Sequence, residues 1–85
     1  MSGEIIVAEW AKNQRETLRI RLDTYQGRAI IDCRCWYEDS GTLKPGRAGL
    51  TVSIRHLPAL AEAFGRAAEI ASASGLIAGN GPQNE

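Results

Sequence analysis

Eight of the ten cations in this 85-residue chain are arginine, the side chain that forks onto phosphate and stacks on planar rings. Two of them, Arg19 and Arg21, alternate with Leu18, Ile20 and Leu22 in the segment TLRIRL. In an extended chain that spacing sets three aliphatic side chains on one face and a guanidinium row on the other. Tyr25 keeps the parity of Arg19 and Arg21 and joins their face if the strand runs on that far. An aromatic ring among guanidiniums can hold a base by stacking while the charges hold phosphate, as in single-stranded nucleic-acid binding. A solvated sheet face would show the same alternation, so the pattern by itself leaves both readings open.

Other candidate chemistry is sparse. Cys33 and Cys35 form a C-x-C pair, but on a strand they point the same way, and a bridge between them would strain the backbone. A metal would need more ligands, and His56 is the lone histidine. Free thiols in a reducing compartment are therefore expected, with no metal and no cofactor. His56 reads as a junction residue, since no nucleophile or carboxylate is spaced to work with it. Asp32 shares parity with Arg28 and Arg34, which suits a buttressing salt bridge better than acid–base work. No phosphate loop, nucleophile elbow or paired-carboxylate pattern occurs, so the sequence offers no enzyme active site.

The formal net charge is zero, which excludes a simple polycation, yet the charge is unevenly spread. Residues 12–55 hold nine cations (Lys12, Arg15, Arg19, Arg21, Arg28, Arg34, Lys44, Arg47 and Arg55) against five acids. A local basic surface on a neutral protein follows. The start of the chain lacks a cationic leader and no apolar run is long enough to span a bilayer, which predicts a soluble intracellular protein.

The elements that must position these residues follow from the hydrophobic period. EIIVAEWA (4–11), TLRIRL (17–22), RAIIDCRCWY (28–37) and residues 43–54 read as four strands. Turns fall at DTYQGR and EDSG, and Pro45-Gly46 interrupts the last strand. In the first strand, Ile6, Ala8 and Trp10 are expected on one face and Ile5, Val7 and Glu9 on the other. From Pro58 the period becomes helical, with Leu57, Leu60, Phe64 and Ala68 on one stripe and Ala63, Ala67 and Ile70 widening it. A helix that is apolar over more than half its girth must be covered on two sides. The sheet is expected on one and a second copy on the other. Gly75 is the expected stop. The order is β-β-β-β-α, an α+β fold in one domain over residues 1–75 with a disordered tail at 76–85. A lone chain of this size buries only about 60–65% of its unfolded surface, so oligomerisation is a natural remedy.

The stretch from Tyr25 to Val52 resembles the single-stranded DNA-binding domain of the positive cofactor four family of transcriptional coactivators, in its compact prokaryotic form. The resemblance lies in Tyr25, Gln26-Gly27-Arg28, Ile31-Asp32-Cys33-Arg34, Trp36-Tyr37, Glu38-Asp39 and Lys44-Pro45-Gly46-Arg47-Ala48-Gly49. It extends over about residues 15–73 and implies a strongly curved antiparallel sheet followed by a long helix, working as a homodimer. It further implies stacking by Tyr25 and Tyr37. DNA-backbone contacts would come from Arg28, Arg34, Lys44 and Arg47, with Pro45 packed beside them. The helices, through Leu57, Leu60, Phe64 and Ala68, would help form the dimer. Gln26 and Ala48 stand where the family usually has lysine, which predicts a weaker grip. Simple alternation sets Tyr37 opposite Arg34, so a twist or bulge is needed between them, and without one Trp36 is the stacking residue. Arg19 and Arg21 rest on the alternation alone.

The expected function is sequence-tolerant binding of single-stranded DNA by a homodimer, in transcription or in protecting melted DNA, in the cytoplasm at the nucleoid. The alternatives are an interaction module of the transcription machinery with weak nucleic-acid affinity, or RNA binding. No membrane partner is expected.

Overall fold

The computed structural model describes residues 3–77. Four strands form one open, curved antiparallel sheet in the order β1-β2-β3-β4, with β1 Ile5–Ala11, β2 Glu16–Tyr25, β3 Arg28–Asp39 and β4 Thr42–Ser53. A 3-10 turn, Ile54–His56, leads into helix α1, Leu57–Ala73. The predicted element order stands. β2 does run on to Tyr25, the condition for that ring to share the arginine face.

Both inner hairpins close through two-residue turns with positive φ at each central position: Gln26 (51°) and Gly27 (78°), then Ser40 (55°) and Gly41 (83°). That mirror-image geometry matches the right-handed twist of the flanking strands. α1 ends at Gly75 (φ 74°), where the Leu76 amide reaches the Ala71 carbonyl (2.7 Å) and the Gly75 amide reaches Ser72 (3.1 Å). These two bonds are the glycine stop the sequence predicts. Of the predicted tail, residues 78–85 lie outside the described residues.

Register assigns the faces. Leu18, Ile20 and Leu22 lie opposite Cys35, Cys33 and Ile31, which lie beside the Leu50–Val52 segment of β4. Arg19, Arg21 and Thr17 lie opposite Arg34, Asp32 and Trp36 on the other face. The first strand departs from simple alternation, because a bulge between Ile6 and Ala8 leaves Val7 outside the ladder. Ile6 therefore pairs beside Arg21, whereas Ala8 and Trp10 pair beside Ile20 and Leu18, so Ile6 and Ala8 do not share a face as expected.

The expected cover of the sheet by the helix is absent. The one extensive contact of α1 is with the 3-10 turn that launches it, so among the described residues no layer packs on the aliphatic sheet face. Ile31 and Cys35 are the buried apolar residues, and no residue of α1 is buried. The most deeply buried side chain is instead a carboxylate, Asp32, at 1% exposure.

Asp32 is held by three neighbours. Arg21 Nε donates to Oδ2 (3.0 Å), Arg34 Nε donates to Oδ1 (3.1 Å), and the Thr51 hydroxyl donates to Oδ1. Burial pushes this carboxyl's pKa upward, but the bonds from Thr51, Arg34 and Arg21 outweigh it and leave the group below its ordinary value. Arg34 then reaches on to β4: Nη1 donates to the carbonyls of Gly46 (2.9 Å) and Arg47 (3.4 Å), and Nη2 to Thr51 Oγ1 (2.8 Å). Strand β4 needs that clamp because Gly46, Arg47 and Ala48 face the single residue Cys35 across the ladder. Two glycines allow the approach. A Cβ on Gly49 would sit 2.8 Å from Arg34 Cα and the Cys33 carbonyl oxygen, and one on Gly46 would sit 2.8 Å from the Cys35 carbonyl oxygen.

Asp32→Asn is expected to cost about 3 kcal/mol in urea unfolding, the low end for breaking a buried pair, because Arg21 keeps Asp23 and Glu4. The depressed native pKa means the unfolded chain takes up the proton first. The contribution is whole above roughly pH 5 and is lost as pH falls through the unfolded value near 4 and on to the native one. The stability gap between wild type and Asp32→Asn should therefore be flat from pH 7 to pH 5 and shrink below about pH 4; a gap that widens on acidification would refute the assignment. Gly49→Ala is expected to destabilise by about 1–3 kcal/mol and to speed amide exchange in β4, since backbone must move to admit the methyl group.

Candidate nucleic-acid interface

The residues singled out from the sequence fall into three groups along the sheet. At its centre, on the polar face, Arg19, Arg21, Arg34 and Trp36 interlock. Arg19 Nε donates to Glu9 (2.7 Å) while its guanidinium carbon lies 4.3 Å from the centroid of the Trp36 ring. Arg21 approaches the same ring at 5.7 Å and pairs with Asp23 (2.5 Å), Glu4 (3.1 Å) and Asp32. Its pKa is raised: burial opposes the charge, but the bonds to Asp23 and Asp32 more than compensate. This centre is a cation–π and ion-pair lattice. Its guanidiniums are already matched by carboxylates.

One end of the β2–β3 ribbon carries Tyr25 directly opposite Arg28. Tyr25 is 64% exposed, and Arg28 is exposed and engages no acid among the described residues. The short two-residue turn between them fixes the pair side by side, so a ring and a free cation point into solvent together.

The other end carries Tyr37, paired across the ladders with Glu16 and Lys44. Tyr37 is 42% exposed. Lys44 holds Asp39 at 2.9 Å, Pro45 lies opposite Trp36, and Arg47 stands inside the bulge, exposed and with its guanidinium unpaired among the described residues. The bulge expected between Arg34 and Tyr37 is not on β3: the register shift there places its extra residues on β4. The β2–β3 ladder runs without a shift from Glu16–Tyr37 to Tyr25–Arg28. Trp36 therefore shares the arginine face with Arg34, and Tyr37 lies on the other side of β3. The bulge adds two residues, so alternation resumes in phase below it. Lys44 stays on the side of Leu50 and Val52, and Gly46, Arg47 and Ala48 together leave the ladder.

Beside Tyr37 the sheet end opens into a cleft between the β1–β2 loop and the β3–β4 turn, whose lining includes Asn13, Gln14, Arg15 and Glu38. Arg15 escaped the sequence reading because it falls outside any strand period. Its signals in the sequence were its place in a polar loop and its share in the cation surplus of residues 12–55.

Burial, the Asp32 charge and Cys35 push the Cys33 thiol pKa upward, which keeps it protonated and inert. Cys33 and Cys35 are free thiols, as expected. Among the described residues no cluster of histidine, cysteine and carboxylate could hold a metal ion, and no helix is long and apolar enough to cross a membrane. His56 occupies the N-cap position of α1 without a side-chain capping bond.

Comparison with known proteins agrees with this geometry. The solved structure of a PC4 homologue from Burkholderia pseudomallei superposes with a TM-score of 0.67 at 25% identity, covering 75% of this chain and 88% of that one. Its tetragonal crystal form gives a TM-score of 0.68 at 24% identity, covering 78% and 98%. A bacteriophage T5 homologue of the eukaryotic transcription coactivator PC4, implicated in recombination-dependent DNA replication, shares the fold with a TM-score of 0.58 at 22% identity, covering 88% and 82%. No curated protein matches by sequence. The family profile described as Transcriptional Coactivator p15 (PC4) matches residues 12–63, more than half of the chain, and the protein therefore belongs to the PC4 family.

Proposed function

We propose that this protein binds single-stranded DNA as a homodimer, with little sequence preference, acting in transcription or in protecting melted DNA at the nucleoid. The observation that carries the reading is the pairing of an exposed ring with an unneutralised cation at one end of the ribbon, Tyr25 with Arg28, together with the exposed Tyr37 ring at the other end and the unpaired Arg47 in the β4 bulge. Stacking and phosphate contact are the two things a sequence-tolerant single-strand site requires. Membership of the family and the phage homologue's link to DNA replication support it. No covalent chemistry is involved.

The dimer follows from what a single chain leaves uncovered. Phe64 (63% exposed) and Ile70 lie bare on α1, and the sheet's aliphatic face has no layer over it. A second copy supplies both covers at once. The two tyrosines sit on opposite faces about 30 Å apart along the ribbon, counting nine residues of strand.

The neutralised centre favours a second reading, in which the fold serves chiefly as a protein-interaction module with weak nucleic-acid affinity. Of the cations assigned to binding, Arg19, Arg21 and Arg34 are committed to internal acids and carbonyls. Partner capture that survives both nuclease treatment and an Arg28/Arg47 double substitution would favour that reading.

In fluorescence anisotropy, single-stranded oligonucleotides are expected to bind more tightly than duplex and more weakly as salt rises; equal binding, or none, would overturn the proposal. Parallel RNA oligonucleotides test whether the sugar matters. Tyr25→Ala and Tyr37→Ala should each cost about 1–3 kcal/mol of binding, and Arg28→Ala or Arg47→Ala should each flatten the log–log salt slope by about 0.7. Light scattering should give twice the chain mass, and Phe64→Glu should shift it toward one; a monomeric wild type would remove the dimer.

A further inference from the structure

The cleft beside Tyr37 holds a combination of groups that phosphate binding does not explain. Its β1–β2 loop is closed by its own bonds. Asn13 Oδ1 accepts the amides of Arg15 (2.9 Å) and Glu16 (2.8 Å), and Asn13 Nδ2 donates to Glu16 Oε1 (3.0 Å). The amides of Lys12 (2.9 Å) and Asn13 (3.3 Å) both donate to the Glu16 carbonyl, and Lys12 Nζ lies 3.8 Å from the Glu16 carboxylate. Lys12, Asn13 and Glu16 are thus spent on the loop itself. Arg15 is not: it is exposed and engages no acid among the described residues. On the turn side, Glu38 is likewise exposed and engages no cation, the neighbouring Lys44 being paired with Asp39. Tyr37, Arg15 and Glu38 line the same cleft.

One ring face, one free guanidinium and one free carboxylate are a poor receptor for phosphate, which Glu38 would repel. They suit a neutral base lying on Tyr37 with its rim between opposite charges. Guanine alone sets two adjacent acceptors, N7 and O6, the two-point match for a guanidinium, next to two adjacent donors, N1–H and the N2 amino group, the two-point match for a carboxylate. We propose that this cleft reads guanine, with Arg15 and Glu38 as the specificity-determining residues, so that a largely sequence-tolerant protein keeps a preference at one base. The inference rests on the single-strand reading above and adds to it a site that reading does not need.

The test compares the full-length protein's affinity for an all-thymine oligonucleotide and for one of equal length alternating guanine and thymine, which has no guanine run to fold on itself. The guanine-bearing strand should bind at least about fivefold tighter, the lower limit for one good two-point contact. Inosine in place of guanine, lacking the N2 amino group, should lose part of that ratio. Arg15→Ala and Glu38→Gln should each reduce the ratio toward one. Measurable thymine binding with equal affinity for both strands overturns the guanine site and leaves single-strand binding standing. A ratio unchanged in both variants overturns the assignment to Arg15 and Glu38. Arg15→Ala weakening both strands alike, with a shallower salt slope, makes Arg15 a phosphate contact and also overturns it. Failure to bind either strand removes both proposals.

Discussion

A carboxylate, and not an apolar cluster, is the most buried side chain in this protein. Asp32 is worth burying because three donors from two other strands and its own converge on it: Arg21 from β2, Arg34 from β3 and Thr51 from β4. An isolated buried charge would neutralise itself or unfold the site, whereas a fully bonded one acts as a cross-strand rivet. Its reach is longer than its contacts. Arg34, oriented by Asp32 and Thr51, spends its remaining donors on the Gly46 and Arg47 carbonyls, so the shape of the β4 bulge depends on a carboxylate it never touches. Whatever Arg47 does in solvent is set up by that chain of bonds.

The lattice makes a basic-looking sheet electrically quiet at its middle. Guanidiniums on β2 and β3 are answered by Glu4, Glu9, Asp23 and Asp32, and the Trp36 ring lies under Arg19. On the sheet and its loops, among the described residues, free positive charge survives where the ladders end or break, at Arg28, Arg47 and Arg15. A chain of zero net charge can in this way still show cations to a ligand. The cost is that Arg19, Arg21 and Arg34 serve structure first, and removing any of them would disturb the sheet before it disturbed a contact.

Element order, both turns, the helix stop and the free thiols were legible in the sequence because each rests on local chemistry: period, glycine at positive φ, and the strain of a two-residue bridge. The salt bridge at Asp32 was legible from parity, although Arg21 across the ladder, not Arg28 on the same strand, proved to be Arg34's counterpart. Two kinds of fact were not legible. Register slips, at Val7 and within Gly46–Ala48, depend on how neighbouring strands pair, and a single strand's alternation carries no record of them. Coverage of α1 is likewise invisible from its own stripe, since a wide apolar girth says that cover is needed without saying which surface provides it. The sheet does not.

That last point bears on why the helix is so rich in alanine. Ala59, Ala61, Ala63, Ala67, Ala68 and Ala71 stud the helix with small side chains, and Phe64 and Ile70 are its exposed large apolar ones. Alanine maximises helix propensity where no packing stabilises the element in isolation, and small side chains let another backbone approach closely. A helix unsupported by its own sheet keeps its turns through the first property and stays open to close approach through the second. The sheet's aliphatic face and the helix are both apolar surfaces left without a covering layer among the described residues. The Asp32 lattice can hold the sheet together in the meantime because it draws on charge and hydrogen bonding, which do not wait for a second layer.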